Sequence, residues 1–381
     1  MDDAQWINKH EVPELKEGEK VLLFGAGHGS EEMIAYFRKR GLEKEIVGLI
    51  DNDPCMWGKR LLGFPIFEPG SLTRIAYSMI IITSISGRDA IAHQLREMGL
   101  IEGIDFFKVG RYPHDVLGKL TELVRYDSKL GFMKGLETVA HIGSGGFFGF
   151  ELSLLSLWSE FVFSIDAYLF NASFPDVSEH KTAYAKCLED LGRFAREHDL
   201  DANRCTRRWS ACFQERGGRT YLNAARMSFL YPHRFSQLPL ESEQVDMVTS
   251  FGVLEHVRNP RRAAAESFRI LRKGGIAYHN VITRDHRSFG RVEGYTPLSY
   301  RSCSEAEWDR INANKFYQNR VAPWQWKEFF LEAGFDLLLF DVLHEYEPDG
   351  GELSRFHADF ARWSDDLQRQ VDCVLIARRP S

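Results

Sequence analysis

Two apolar runs that end in glycine restrict this chain more than any other feature of its sequence. In the first, Val21-Leu22-Leu23-Phe24 enters Gly25-Ala26-Gly27-His28-Gly29-Ser30, and a helical stretch continues to about Arg40. In the second, Glu137 to Ile142 enters Gly143-Ser144-Gly145-Gly146, and a helical Phe150 to Trp158 comes next. Each helix leads to another apolar run that delivers a carboxylate. Ile46 to Ile50 ends at Asp51, 24 residues beyond Gly27, and Phe161 to Ile165 ends at Asp166, 21 beyond Gly145. A further run, Met79 to Ile82, ends in Thr83-Ser84 before a helix through Glu97. Strand, tight turn, helix and strand in alternation build a parallel sheet with helices on both faces.

The expected fold class is therefore α/β, with two doubly wound Rossmann-like domains in series. A length of 381 residues, about two to three times that of a usual domain, agrees. The boundaries expected are 1–115 for an N-terminal nucleotide-binding domain, 116–134 for a linker helix, and 135–381 for a second domain with a helical insert at 171–230. The linker rests on Val116-Leu117-x-x-Leu120-x-x-Leu123-Val124, whose spacing fits one amphipathic helix.

Composition narrows the function. A formal charge of -6 provides no general basic surface, so no nucleic-acid partner is expected and a small-molecule acceptor fits better. Met1 to Lys20 is acidic and polar, and no run of about 18 apolar residues occurs, so a cytoplasmic protein with no membrane partner is expected. The six cysteines form no C-x-x-C pair, and no metal site or disulfide framework is expected. Self-association into a homo-oligomer stays open.

In the first glycine turn, Gly25, Gly27 and Gly29 would let backbone approach a phosphate at a helix N-terminus, with Asp51 placed to accept both ribose hydroxyls. Ser30 stands where the G-x-G-x-x-G fingerprint has its last glycine, so a purely structural turn is the alternative. Phe24-Gly-Ala-Gly, Val47-Gly-Leu-Ile-Asp-Asn-Asp, Gly63-Phe-Pro-Ile-Phe-Glu-Pro and Ile80-Ile-Ile-Thr-Ser together resemble the N-terminal nucleotide-binding domain of bacterial sugar O-acyltransferases, over roughly residues 18–110. The resemblance implies a nucleotide or nucleotide-sugar ligand. The left-handed β-helix repeats of those acyltransferases are missing, so acyl transfer is not implied.

The second turn could equally belong to a nicotinamide site, and the residues downstream of it decide between the two. Leu238-Pro-Leu-Glu-Ser-Glu-Gln-Val-Asp246-Met-Val-Thr-Ser250 reads as a fourth strand, and Phe251-Gly-Val-Leu-Glu255-His256-Val257 carries it into a loop. Asn259-Pro260 then opens a helix from Arg261 to Leu271, which closes at Arg272-Lys273-Gly274-Gly275 before an apolar strand Ile276 to Ile282. These stretches are similar to the signatures of class I S-adenosylmethionine (SAM) dependent methyltransferases of the small-molecule type. The similarity implies a seven-stranded sheet, SAM as cofactor, and SAM contacts at His141, Gly143, Ser144, Gly145, Asp166, Ser250 and Phe251. It also implies that the tail, a helix from Pro323 to Ala333 and strands Phe335 to Val342 and Val371 to Ala377, closes the sheet with an antiparallel strand. The chain departs from the family at His141, where an acid is usual, and at Arg234, where an acid often binds adenine.

A hydroxyl or protonated amine acceptor requires a base, and a base must first satisfy geometry. Glu255 and His256 after the fourth strand, and Asp285 and His286 after the fifth, are the candidates, Asp285 being a carboxylate that could orient the neighbouring imidazole. The bland alternatives are a histidine packed on the next helix and a solvated polar loop. Arg207-Arg208-Trp209 could grip a phosphate or stack on a sugar, and Tyr300, Trp308, Tyr317, Asn319 and Arg320 could line the same mouth. The function expected is methyl transfer to a small molecule, sugar or glycan-related. The alternatives are a noncatalytic SAM- or nucleotide-binding protein and an NAD-dependent oxidoreductase working through the N-terminal domain, the latter disfavoured because no Tyr-x-x-x-Lys pair comes after that fold.

Overall fold

A computed structural model describes residues 6–16, 18–85, 87–110, 115–168, 173–312 and 317–381. They divide into two compact units that are not consecutive in the chain. The first comprises Met1–Pro113, Arg284–Phe316 and Pro348–Trp363; the second comprises His114–Thr283, Tyr317–Glu347 and Ser364–Ser381. The segments 284–316 and 348–363, expected within the second domain, therefore belong to the first.

In the first unit the strands are β1 (Val21–Phe24), β2 (Ile46–Ile50), β3 (Arg60–Leu61), β4 (Phe64–Phe67), β5 (Met79–Ile82) and β6 (Phe106–Lys108), in the sheet order β3-β4-β2-β1-β5-β6. All neighbours are parallel except the short β3. The central strands are continuous apolar runs because both faces are covered, which leaves no polar alternation. The segment from 284 is stitched to this sheet. Val292 bridges Leu61 and is buried in the same cluster, Glu293 N donates to Arg60 O at 3.0 Å, and Tyr295 Oη donates to Cys55 O at 2.7 Å.

In the second unit the strands are β7 (Thr138–Ile142), β8 (Phe161–Ile165), β9 (Phe213–Arg216), β10 (Arg219–Leu222), β11 (Met227–Leu230), β12 (Val245–Phe251), β13 (Leu271–Val281), β14 (Asp336–Glu345) and β15 (Gln370–Arg378). Seven of them form one sheet in the order β11-β8-β7-β12-β13-β15-β14, while β9 and β10 pair as a hairpin. Only β15 runs against its neighbours, so the antiparallel closing strand is present. Successive residues of β7, Val139 and Ala140, enter different core clusters, which places a core on each face.

Two expectations need correction here. The helix Val116–Leu130 is not a linker: Val116, Leu120, Leu123 and Tyr126 are buried in the same core as Val139, Met247 and Tyr278. Its ends are defined by Asp115, whose carboxylate accepts from Gly118 N, and by Gly131 in the left-handed conformation. Nor is 171–230 wholly an insert. It holds the helices Lys181–Glu197 and Ala202–Ser210, but it ends in β11, the sheet's edge strand, while Asn171 and Ala172 lie outside the described residues. Among the described residues no helix is long and apolar enough to cross a membrane.

Candidate active site

In the second unit the glycine loop springs from the carboxyl end of β7, where a parallel sheet binds its ligands. Gly143, Gly145 and Gly146 all hold φ between 64° and 82°, a region that side chains disfavour. Their surroundings differ. A Cβ on Gly143 would lie 2.3 Å from Val253 Cγ2, whereas one on Gly145 would meet nothing within 4 Å. The Ser144 hydroxyl is buried and makes no hydrogen bond. Asp166, at the end of β8, accepts from Gly145 N at 3.1 Å and Tyr168 N at 3.0 Å, and burial raises its carboxyl. Open space beside Gly145, an unsatisfied hydroxyl and a carboxylate against the loop are the features a polar adenosyl ligand requires, and the residues present fit one.

The other expected contacts diverge. Phe251, at the end of β12, packs edge-on to Phe150 at 5.3 Å and faces the loop side with His141. His141 is a core residue whose ring lies 4.8 Å from Phe150; burial holds its pKa well below the usual value, so it is neutral. The Ser250 hydroxyl, expected at the cofactor, instead pairs with His279 Nδ1 at 2.8 Å among Phe235 and Phe330. Residues 250 and 251 point to opposite faces because strand side chains alternate. Arg234 is exposed.

After β12 the chain makes a short turn, Leu254–His256, held by Asn319: its side chain donates to Leu254 O at 2.8 Å and Val257 O at 3.0 Å, and its backbone N to Glu255 O at 2.7 Å. His256 Nδ1 lies 2.6 Å from Tyr317 O. A carbonyl only accepts, so Nδ1 carries the proton and Nε2 the lone pair. Burial lowers this imidazole to about 4. Glu255 Oε1 lies 4.0 Å from His256 Nε2; the carboxyl is buried, Oε2 has no hydrogen-bond partner, and burial raises its pKa well above the usual range. Glu255 is thus neutral and His256 is an uncharged base, the reverse of an ion pair.

Asp285 and His286 fall in the first unit, and they do not pair. The Asp285 carboxylate is taken up by Arg287, with Nη2 at 2.6 Å and the backbone N at 2.9 Å, while the His286 ring stacks on Phe289 at 4.8 Å. Tyr300 and Trp308 are buried in that unit too. Arg208 donates to Leu155 O and pairs with Glu160, and Trp209 is buried, so neither is set to grip a ligand. Sequence reasoning overlooked Lys119, Glu122 and Glu151, polar residues on otherwise apolar helix faces. Glu122 accepts from Tyr278 Oη at 2.6 Å and Asn280 Nδ2 at 2.8 Å.

In the first unit Asp51 accepts from Ala26 N at 2.6 Å and Asp53 N at 2.8 Å. A Cβ on Gly25 would lie 2.8 Å from Ser84 Cβ, and one on Gly29 would lie 2.0 Å from Thr83 O. Gly27 alone of the three meets nothing within 4 Å.

Residues 199–279 match the model of the Methyltransferase domain family. The matched segment lies within the second unit, which is thus similar to that family. Over 72 residues the chain is 35% identical to a Mycolicibacterium smegmatis protein named as a probable S-adenosylmethionine-dependent methyltransferase; the match covers 19% of this chain and 28% of that protein's length. Among solved structures, a S-adenosylmethionine dependent methyltransferase from Mesorhizobium loti is 14% identical, with 64% of this chain and 91% of that one covered and a TM-score of 0.35. The YcgJ protein of Bacillus subtilis is 13% identical, covering 70% and 100%, with a TM-score of 0.34. At such scores these likenesses add nothing to the strand order already described. Residues 17–103 match the C2185-like, N-terminal family, which lends no support to the acyltransferase resemblance of the first unit.

Proposed function

We propose that the second unit is a SAM-dependent methyltransferase that methylates a small-molecule acceptor, sugar or glycan-related, with His256 as the base. SAM carries its methyl on a positively charged sulfur, so an in-line acceptor displaces it without any protonation of the leaving group. Gly143, Ser144, Gly145, Asp166 and Phe251 would hold the cofactor; Ser250 is set aside because its hydroxyl faces the other side of the sheet. The observation that carries the base assignment is the Nδ1 contact to Tyr317 O, which leaves Nε2 as acceptor. A base near 4 is weak, yet a hydroxyl oxygen that is gaining a further bond becomes strongly acidic, so its proton needs an oriented acceptor more than a strong one. Glu255, held neutral by burial, does not compete for that proton.

The first unit is read as a doubly wound domain that holds a nucleotide or nucleotide-sugar at Gly25, Gly27, Gly29 and Asp51. Two cavities of that unit are lined by chain neighbours of these residues: one of 470 Å³ by His28, Arg284, Phe289 and Tyr295, the other of 390 Å³ by Asn52, Asp53 and Arg310. Both lie at turns that come after β1 and β2, where such sheets take ligands.

The test uses methyl-labelled SAM with a panel of free and nucleotide-linked sugars. Label should enter at least one of them, and His256→Asn should lower kcat roughly 10²- to 10⁴-fold with SAM affinity unchanged. Label entering only sugar-free hydroxyl compounds sinks the sugar assignment, and full activity in the variant sinks the base.

A further inference from the structure

A half-buried lysine and a buried carboxyl lie beside the glycine loop of the second unit with no part in the scheme above. Lys119 leaves the helix Val116–Leu130 and places Nζ 5.4 Å from the centre of the Phe150 ring and 5.3 Å from that of Phe251. Phe150 is in the first turn of the helix after the glycine loop, and Phe251 is the last residue of β12. Glu151, adjacent to Phe150, is 1% exposed and accepts from Ser164 Oγ at 2.9 Å. Ser164 stands opposite His141 in the β7–β8 register and two residues before Asp166, hence on the same face of its strand as the carboxylate that meets Gly145 N. Cation, carboxyl and loop thus share one end of one face of the sheet.

Charges are costly to bury and are retained there only where something compensates them. Burial drives the Lys119 ammonium down and the Glu151 carboxyl up to about 7, and the attraction between the two opposes both shifts. Neutral His141 brings no charge to balance either. A ligand with one carboxylate and one ammonium on the same carbon is the complement of such a pair. SAM ends in an α-amino acid with that pair of charges.

We propose that Lys119 and Glu151 hold the amino-acid end of the cofactor, Lys119 taking its carboxylate and Glu151 its ammonium. The inference rests on the cofactor reading of this domain. It assigns two positioning residues and explains how the loop manages with a histidine at 141: the acid has moved to the helix after the loop. Phe150 and Phe251 flank the Lys119 ammonium, which lowers the local dielectric and strengthens its contact.

The test compares two ligands on the full-length chain by calorimetric titration: S-adenosylhomocysteine, which carries the amino-acid end, and 5′-methylthioadenosine, which lacks it. Lys119→Met should weaken the first at least tenfold and leave the second within twofold, so that the second also reports an intact fold; Lys119→Arg should restore part of the loss. Affinity for S-adenosylhomocysteine should rise with pH through about 7 in the wild type, as Glu151 gives up its proton, and Glu151→Gln should flatten that rise. Equal losses for both ligands, or affinity within twofold of wild type for S-adenosylhomocysteine in Lys119→Met, overturn the proposal and leave the cofactor reading standing. A wild-type chain that binds neither ligand overturns both.

Discussion

The two glycine turns use the same residues for different ends. In the first, Gly25 and Gly29 are glycines because the chain behind them is too close for anything larger: a methyl group would sit 2.8 Å from Ser84 and 2.0 Å from Thr83 O. Its strand-end carboxylate, Asp51, closes the turn through Ala26 N and Asp53 N. The second turn has one glycine of that kind, Gly143 against Val253, but Gly145 faces open space and Ser144 keeps an unsatisfied hydroxyl. Glycine turns that look alike in sequence thus differ in where packing demands the glycine: at Gly25 and Gly29 in the first, and at Gly143 in the second.

The largest effect should come from Gly29→Ala. The new methyl cannot be placed without moving backbone, which should cost at least about 3 kcal/mol and lower the melting temperature of the first unit in calorimetry. A wild-type melting temperature would mean that packing does not determine this turn. Acid should distinguish the second unit next. Its buried His256 is lowered to about 4 against about 6.5 unfolded, so the unfolded chain takes up the proton first. Stability present above pH 6.5 should fall, by up to roughly 3 kcal/mol, as pH drops from 6.5 towards 4. His256→Asn should remove that share of the acid sensitivity, and an unchanged urea midpoint profile from pH 7 to 4.5 between the two proteins would count against it.

Asp166→Ala and Asp51→Ala separate the two carboxylates. The first should weaken SAM binding at least tenfold, about 1.4 kcal/mol. The second should leave SAM affinity alone and cost about 1–3 kcal/mol of stability through two amides without an acceptor. Equal SAM affinity in all three proteins would remove Asp166 from the cofactor site. The smallest effect is expected at Gly27, which has φ of -134° and nothing within 4 Å of its Cβ position. Gly27→Ala should change stability by no more than about 0.5 kcal/mol. A larger loss would show that packing sets the first turn at Gly27 as well.

Much of the second unit was readable in advance because its elements obey local rules. The glycine turn, Asp166 and the Pro260 start stand where residue patterning put them, and the antiparallel closure where the family resemblance put it, whereas Gly274 falls inside β13 rather than at the end of the helix. Patterning could not supply β11, whose four residues, Met227–Leu230, are too short to stand out from the insert before them. It also could not supply the face of Ser250 or the partner of Asp285, since both depend on contacts remote in sequence or on a backbone direction.

Spacing and residue type alone determined the alternation of strands and helices, the two glycine turns and the acids beyond them, because hydrophobic periodicity and glycine's freedom act over a few residues. Tertiary structure alone decided which unit each segment serves. Arg284–Phe316 leaves after β13 and buries Val292 against Leu61, more than 200 residues earlier in the chain. Tyr317, where the chain re-enters the second unit, fixes the proton of His256. A segment's own pattern says that it will be buried but not against what, and the tautomer of an imidazole depends on a carbonyl that only the folded chain brings to it.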